Sequence, residues 1–439
     1  MSNLIINGGK KLKGNIINQT AKNSAVAILC ACLLVKKGRT LLSDVPQIEE
    51  VNRILELLAS IGVKIEKIGQ NQLQVDASHE LNMENMDKHA CCVTRSSLML
   101  IGALACRTAK YKLYKSGGCR LGQRTVRPHI FALSDFGVSI NSKKSCYEIG
   151  NSPLRSADIV MYESGDTATE NAIMTAVLSP GVSHIKMASA NYMVQDLCYF
   201  LQKAGAKIQG IGTTNLTIEG VDSLDPVQDY SIMPDPIVAM TYLSVAIVTG
   251  SQLIVENCPL DFLELELYKL KVMGQKFEFK NKRLSKNGQF TIVDIEVIPS
   301  QLSALPDKIY GRPFPGLNID NLPLFVPILT QAKGRTLVHD WAYENRSVYY
   351  LELVKLGANI TMLDSHRVWV EGPTEFNPNN LKCPPALRLA INLLICMLAA
   401  GGKSVLRNTY PIDRGYEDLY HVLNSVGADI TVKKSNTKS

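Results

Sequence analysis

The stretch LELLASIGVKI at 55–65 holds the pattern that decides the fold, an amphipathic helix that ends at a glycine and leads into a strand. Glycine suits this joint because it adopts left-handed dihedral angles without a clash from a Cβ atom. The same pattern recurs along the chain, with its glycines 68 to 83 residues apart. The six glycines are Gly62, Gly137, Gly205, Gly274, Gly357 and Gly427.

A second strand precedes most of these glycines by 23 to 25 residues and itself begins at a glycine. These strands start at Gly38, Gly181, Gly250, Gly334 and Gly402. An apolar helix comes before them, and a further strand often follows the first joint. The sequence therefore predicts an α/β protein built from six strand–helix–strand–helix–strand–strand units of about 70 residues each.

The composition is that of a globular protein with more than one domain, because 439 residues exceed one ordinary core. The net charge of +7 is mild, and no run of like charges indicates a nucleic-acid surface. The longest apolar stretches, 25–35 and 391–400, are shorter than the roughly 20 residues of a membrane span. We expect a cytosolic protein that binds small molecules, neither nucleic acid nor membrane; the sequence does not predict its oligomeric state.

The eleven cysteines favour a reducing compartment, because those such as Cys30, Cys32 and Cys396 lie in apolar stretches. We expect ten of them to be reduced and buried. No CxxC pair is present, and Cys91 and Cys92 lack histidines at zinc-ligand spacing, so neither a metal nor a cofactor is expected.

Cys119 is the exception, because it lies in the glycine-rich segment KSGGCRLGQR at 115–124. Glycines disfavour a helix there and allow the backbone to approach a ligand closely. Arg120 and Arg124 would favour the thiolate, which is the reactive form of cysteine. We interpret Cys119 as a reactive residue.

Four other segments are candidates for anion binding or proton transfer. Lys22 and Asn23 begin an apolar helix, which is either an ordinary polar helix start or a receptor for phosphate or carboxylate. Arg95 also opens an apolar helix, where a cation is poorly placed unless an anion binds. Arg414 lies in YPIDRGYEDL and is either half of a surface ion pair or a ligand. Asp320 is either a helix N-cap or a general base.

Together these segments resemble the enolpyruvyl transferase family from about residue 5 to residue 430. The resemblance rests on motifs that carry the candidate residues. They are AKNSA at 21–25, TRSS at 94–97, SGGCRLGQR at 116–124, ENR at 344–346 and IDRGYE at 412–417. It implies an inside-out α/β barrel of two similar lobes, formed by 1–21 plus 229–439 and by 22–228, the latter with the Cys119 loop.

The resemblance also implies an activity. The enolpyruvyl group of phosphoenolpyruvate would pass to a hydroxyl of UDP-N-acetylglucosamine with release of phosphate, the first committed step of peptidoglycan synthesis. Lys22, Arg124 and Arg414 would hold phosphoenolpyruvate with help from Arg95. Cys119 would deliver a proton and form a covalent adduct, and Asp320 would be the base for the acceptor hydroxyl.

The acceptor would be bound by a larger set of residues. Asn23 would touch the sugar, and Arg346 and Arg388 would organise the floor of the site. The remaining implied contacts are Arg127, His129, Ser164, Asp166 and Thr167.

Several positions depart from the family's pattern. Ala386 stands in CPPALRLA where an aspartate of the catalytic set is usual. In RTVRPH, Thr125 replaces a proline and Arg127 replaces an aspartate that faces uracil. SGDTATEN at 164–171 has Thr167 for a glycine and an added Asp166, and PDPIV at 234–238 lacks two usual charges.

Three hypotheses follow from these departures. The chain is the cell-wall enzyme in diverged form, or a paralogous enolpyruvyl transferase with another nucleotide or nucleotide-sugar acceptor. The third hypothesis, motivated by Ala386, is a ligand-binding relative with impaired turnover.

Overall fold

The computed structural model describes residues 2–115 and 125–434. Within them, short strands alternate with helices along the whole chain. The strands are β1 (Ser2–Gly8), β2 (Lys13–Ile17), β3 (Thr40–Ser43), β4 (Lys64–Gly69), β5 (Gln72–Asp76), β6 (Lys110–Tyr114), β7 (Val138–Ser142), β8 (Cys146–Asn151), β9 (Asp158–Val160), β10 (Val182–Lys186), β11 (Lys207–Gln209), β12 (Asn215–Glu219), β13 (Tyr230–Ser231), β14 (Gln252–Pro259), β15 (Lys276–Leu284), β16 (Thr291–Ile298), β17 (Ile309–Tyr310), β18 (Gly334–His339), β19 (Asn359–Met362), β20 (Arg367–Gly372), β21 (Asn380–Lys382), β22 (Gly402–Arg407) and β23 (Ile430–Lys434).

The helices are mostly short, and several are apolar on every side. The α-helices are α1 (Lys22–Ala31), α2 (Glu49–Ser60), α3 (Lys88–Val93), α4 (Leu100–Ala103), α5 (Arg127–Ser134), α6 (Asp166–Ala176), α7 (Tyr192–Lys203), α8 (Pro236–Val248), α9 (Glu264–Val272), α10 (Leu322–Leu329), α11 (Leu387–Ala399), α12 (Tyr410–Asp413) and α13 (Leu419–Ser425). The 3₁₀ helices are Cys32–Leu34, Met83–Asn85, Arg95–Met99, Leu260–Phe262 and Ser347–Leu356.

The described residues divide into two compact units. The first unit contains 2–19 and 234–434, and the second contains 20–115 and 125–233. Each unit has three small sheets. The sheets of the second unit have strand orders β13-β3-β5-β4, β6-β8-β7 and β11-β12-β10-β9, and those of the first have β15-β16-β14-β2, β17-β18-β20-β19 and β21-β22-β1-β23.

The five four-stranded sheets share one topology. An outer strand lies parallel to its neighbour, as β9 does to β10, and the other pairs are antiparallel. The six predicted glycines all have φ between 96° and 103°, and each leads into a strand. The predicted α/β fold of repeated units is therefore confirmed.

Apolar helices form the interior of each unit. All thirteen residues of α8 are buried, and α8 packs against α10 and α11 in the first unit. In the second unit α1 packs against α2 and α7, and eight of its ten residues are buried. A helix that is hydrophobic all round belongs in a core, which explains why these segments show little amphipathic pattern.

The N-terminal strands join sheets that are otherwise formed by residues far along the chain. β2 pairs with β14, and β1 lies between β22 and β23. In turn β13, which directly precedes the first unit's α8, pairs with β3 of the second unit. A strand thus does not always belong to the same unit as the helix that follows it.

The predicted helices before Gly357 and from Arg95 onward are present, and both are 3₁₀ helices. The expectation for the cysteines was wrong in part. Cys92 is exposed and Cys106 is half-buried, so not all of the cysteines other than Cys119 are in the core. Among the described residues, no helix is both long enough and apolar enough to cross a membrane.

Candidate functional site

Lys22 and Asn23 are the first two residues of α1, as predicted from the sequence. The N-cap residue, Ala21, offers no side-chain acceptor, and the first turn contains no acidic residue. The Asn23 amide Nδ2 donates to the hydroxyl of Tyr192 over 3.1 Å. A lysine beside uncapped backbone N–H groups forms a suitable receptor for an anion.

A buried carboxyl group supports the start of α1. Asp196, on α7, is fully buried and accepts hydrogen bonds from the Tyr230 hydroxyl (2.7 Å) and the Met233 N–H (3.3 Å). The Met233 carbonyl in turn accepts from the Ala21 N–H over 2.7 Å. Burial raises the pKa of Asp196 to about 7, although hydrogen bonds to its carboxylate, including one from Ser24, oppose that shift. Tyr192 and Asp196 lie one helical turn apart, so α7 holds the α1 start at two points.

Arg95 follows Thr94, which is the N-cap of the 3₁₀ helix. The Thr94 hydroxyl accepts from the Ser96 N–H over 3.1 Å. The hydroxyls of Thr94 and Ser96 both donate to the buried Glu50 carboxylate. Arg95 is half-buried, and its Nη2 donates to the Thr125 carbonyl over 3.3 Å. The cation is thus placed beside the segment that leads into α5.

His129 is buried rather than exposed to a ligand. Its ring nitrogen Nδ1 lies 3.0 Å from the Asn171 Nδ2, and the ring is 3% exposed. Asn171 also donates to the Leu98 carbonyl (3.0 Å) and accepts from the Gly102 N–H (2.6 Å). Burial, followed by the charge of Arg95, lowers the pKa of His129 to about 4, so the ring is neutral near pH 7.

Arg127 is the first residue of α5, and its side chain is exposed. Its N–H donates to the Thr125 hydroxyl over 3.1 Å. One turn further along, the exposed ring of Phe131 lies 5.2 Å from the exposed ring of Tyr162. A cation and two accessible aromatic rings therefore share this part of the second unit.

Asp166 begins α6, where the helix dipole favours a carboxylate. It accepts hydrogen bonds from the Ser189 hydroxyl (2.6 Å) and from the Asn191 Nδ2 (3.2 Å). The Ser164 hydroxyl donates to the Ala188 carbonyl over 3.3 Å, and Thr167 is exposed. The charge that Asp166 adds to this loop is thus partly compensated by donors of the same unit.

Asp320 lies in the first unit, two residues before α10. The N-cap of that helix is Asn321, which makes no side-chain capping bond, so the N-cap interpretation of Asp320 was wrong. Its Oδ1 lies 3.6 Å from the Arg346 Nη1, and its Oδ2 lies 4.0 Å from the Arg388 Nη2. The structure therefore brings three of the predicted residues together. The Asp320 side chain is about one-third exposed.

Arg346 is buried within a dense polar network. Its Nε and Nη2 donate to the two carboxylate oxygens of Asp340 over 2.6 and 2.8 Å. Nη2 also donates to the Ile319 carbonyl over 2.8 Å, and the Tyr343 ring lies 4.3 Å from Cζ. The Tyr350 hydroxyl donates to the same Asp340 carboxylate over 2.6 Å.

Arg388 is the second residue of α11, and its Nη1 donates to the Tyr416 hydroxyl over 3.0 Å. The Tyr416 hydroxyl lies 2.7 Å from the Thr241 hydroxyl. Ala386 is the buried N-cap residue of α11 and provides no capping side chain. An aspartate at this position would cap the helix.

Arg414 directly follows α12 and is half-buried. Gln19 holds the next residues, because its Nε2 donates to the Gly415 carbonyl (3.2 Å) and its Oε1 accepts from the Glu417 N–H (2.9 Å). Gln19, the last residue of the first unit before the chain enters the second, thus fixes the backbone that follows Arg414.

Cys119 and Arg124 lie outside the described residues, so their predicted roles stay predictions. Sequence reasoning missed Asp340, Tyr416 and Asp196. Asp340 becomes recognisable only once Arg346 is known to be buried, because a buried arginine must be paired with an anion.

Comparison with known proteins extends over nearly the whole chain. The profile of the family described as EPSP synthase (3-phosphoshikimate 1-carboxyvinyltransferase) matches residues 6–423. UDP-N-acetylglucosamine 1-carboxyvinyltransferase of Bacteroides fragilis is 32% identical over 440 residues, which cover 98% of this chain and 100% of that protein. The protein of the same name from Treponema denticola is 32% identical, over 99% of this chain and 100% of its own length.

Two solved structures have a similar fold. The enolpyruvyl transferase NikO from Streptomyces tendae matches with a TM-score of 0.86 and 22% identity, over 99% of both chains. EPSP synthase from Acinetobacter baumannii matches with a TM-score of 0.74 and 15% identity, over 99% of this chain and 100% of that one. At these identities the similarity concerns the fold alone.

Proposed function

The chain belongs to the EPSP synthase family of enolpyruvyl transferases, and on that premise we propose that it transfers the enolpyruvyl group of phosphoenolpyruvate to a hydroxyl of UDP-N-acetylglucosamine. It is a transferase. The acceptor hydroxyl gains a bond to C2 of phosphoenolpyruvate and loses its proton, and C2 loses phosphate, so the products are an enol ether and inorganic phosphate. The full-length relatives at 32% identity support this acceptor, and with it a cytoplasmic role in peptidoglycan precursor synthesis.

The observation that carries the chemistry is the placement of Asp320 between Arg346 and Arg388. The carboxylate lies within 4.0 Å of both guanidinium groups and keeps part of its surface accessible. A partly exposed carboxylate on fixed neighbours can accept a proton from a bound hydroxyl. Asp320 is proposed as that base.

The phosphate and carboxylate of phosphoenolpyruvate need several cations, and we assign Lys22, Arg124 and Arg414 to them, with Arg95 in support. The uncapped start of α1 beside Lys22 supports this assignment. Arginine donors match the paired oxygens of phosphate and carboxylate. Cys119 is proposed to deliver the proton to C3 during addition and to form the covalent adduct.

Acceptor binding is proposed for Asn23, His129, Ser164, Asp166 and Thr167. The environment of His129 limits its part to shaping the site, because the ring is buried and bonded to Asn171. The donors that hold Asp166 make its position near a diphosphate less unfavourable.

A second candidate function is transfer to a different nucleotide or nucleotide-sugar. The exposed Arg127 supports it, together with the Phe131 ring one helical turn along α5 and the Tyr162 ring beside Phe131. A cation rejects a base edge that presents donors, and accessible rings offer a stacking surface to another base or sugar.

Phosphate release from phosphoenolpyruvate, measured with a panel of UDP-sugars and nucleotides, separates the candidates. Release with UDP-N-acetylglucosamine is the expected result. Release only with another acceptor would favour the second candidate, and Arg127→Asp should then move the preference towards UDP-N-acetylglucosamine. Binding of phosphoenolpyruvate without release under any acceptor would indicate the impaired relative that Ala386 suggests.

A further inference from the structure

We propose that Asp340 is a positioning residue that keeps Asp320 available as a base by holding Arg346 in a fixed, charge-compensated orientation. This inference rests on the proposed function, because it concerns the group assigned to accept the hydroxyl proton. Neither the family motifs nor the sequence patterns single out Asp340.

The hydrogen bonds of the Arg346 guanidinium determine which of its edges faces Asp320. Its five N–H groups lie in one plane, and three of them are committed. Nε and Nη2 bind Asp340 side by side, and the second Nη2 hydrogen goes to the Ile319 carbonyl. The edge that faces Asp320 is therefore Nη1, at 3.6 Å, which is longer than a direct hydrogen bond.

Arg346 and Asp340 form a buried pair, because each is about 1% exposed. Their opposite charges make the pair neutral as a whole. Asp340 is held from three further sides. The Tyr350 hydroxyl donates to its carboxylate, its N–H donates to the His366 carbonyl over 2.7 Å, and its carbonyl lies 3.1 Å from the His366 Nδ1.

The surroundings of Asp320 show what would happen without Asp340. Arg346 and Arg388 face its carboxylate, and Glu266 accepts hydrogen bonds from the flanking Asn318 and Asn321. A buried arginine that lost its compensating anion would move towards the nearest remaining carboxylate. That carboxylate is Asp320, and a close pair with Arg346 would occupy its lone pairs and make it a weaker base.

Asp340→Asn tests the inference, because it keeps the shape of the side chain and removes its charge. We expect kcat for phosphate release to fall by about 10- to 100-fold, while KM for phosphoenolpyruvate changes less than about threefold. The acidic limb of the kcat–pH profile should move to lower pH by about half a unit to one unit, because the opposite charge lies closer to Asp320. Asp340→Glu should restore at least part of the lost kcat.

The matched control is Tyr350→Phe, which removes a hydrogen bond from the same carboxylate and leaves the pair with Arg346 intact. We expect its kcat to stay within about threefold of the unchanged protein, with no movement of the acidic limb. Equal losses in Tyr350→Phe and Asp340→Asn would overturn the proposal, because they would point to general damage to the fold. Wild-type kcat and pH profile in Asp340→Asn would overturn it as well.

A second measurement does not depend on turnover. The Asp320 carboxyl can be followed by ¹³C NMR in the full chain, with Asp320→Asn for assignment. Its titration midpoint should fall in Asp340→Asn, or, if that variant does not fold, fall by a smaller amount in Asp340→Glu. An unchanged midpoint refutes the role of Asp340, whereas absence of phosphate release in the wild type with every acceptor refutes the proposed function alone.

Discussion

Asp196→Asn should change how the stability of the protein depends on pH. Burial raises the pKa of Asp196 to about 7, whereas an aspartate in an unfolded chain titrates near about 4. Between these values the folded state keeps a proton that the unfolded state has released. Stability due to this group therefore falls as pH rises from about 4 to about 7 and is level above that.

The magnitude follows from the two pKa values. Between about pH 5 and pH 8 the loss from this one group amounts to about 2 to 3 kcal/mol. Asparagine keeps the shape and carries no charge. Its Oδ1 can accept the Met233 N–H, and its Nδ2 can donate to the Tyr230 hydroxyl, which then donates to the Asp196 backbone carbonyl 3.0 Å away.

The assay is equilibrium urea unfolding of the full chain at pH 5, 6, 7 and 8, followed by far-UV circular dichroism. Tryptophan fluorescence is unsuitable because both tryptophans, Trp341 and Trp369, lie in the first unit and Asp196 in the second. Asp222→Asn, at an exposed carboxylate of the same unit, is the control and should run parallel to the wild type. If the Asp196→Asn curve also runs parallel, within about 0.5 kcal/mol, the carboxyl is not desolvated as described and the reasoning fails.

Arg414→Ala should weaken phosphoenolpyruvate binding by about 10- to 100-fold in a calorimetric titration, because a charge-assisted contact is lost; unchanged affinity would rule out its place in the anion site. A fosfomycin-type epoxide should alkylate Cys119 and spare the exposed Cys92, as peptide mapping would detect, and equal labelling of both would contradict a selectively reactive thiol. Asn171→Ala should lower the free energy of unfolding by about 2 to 4 kcal/mol, because the buried His129 ring, Leu98 carbonyl and Gly102 N–H lose a partner. A loss below about 1 kcal/mol would show that water or a neighbour replaces the amide.

The repeated fold could be predicted from the sequence because its joints are local. A glycine such as Gly62 or Gly205 needs a positive φ wherever a helix turns directly into a strand, and that requirement leaves a mark in the sequence. The pairing of β2 with β14 left no such mark. Periodicity shows that a segment is a strand, whereas the choice of sheet depends on contacts with residues more than 200 positions away.

The candidate site likewise contains residues that the sequence indicates and residues that it does not. Lys22 and Asp320 could be proposed from the sequence because a charge beside an apolar helix is conspicuous. Asp340 could not, since an aspartate at a strand end is ordinary until Arg346 is known to be buried beside it. For His129 the sequence does not reveal that the ring is buried and bonded to Asn171.

The position of β1 between β22 and β23 imposes an order on folding during synthesis at the ribosome. β1 is synthesised before both of its neighbours, which follow about 400 residues later, a delay of about 20 to 80 seconds at ordinary translation speeds. The second unit is continuous from residue 20 to residue 233 apart from the segment outside the described residues, and its strands are complete long before then. We expect nascent chains to contain a folded second unit while the apolar strand β1 is still unpaired. We therefore expect a chaperone to bind β1 during synthesis.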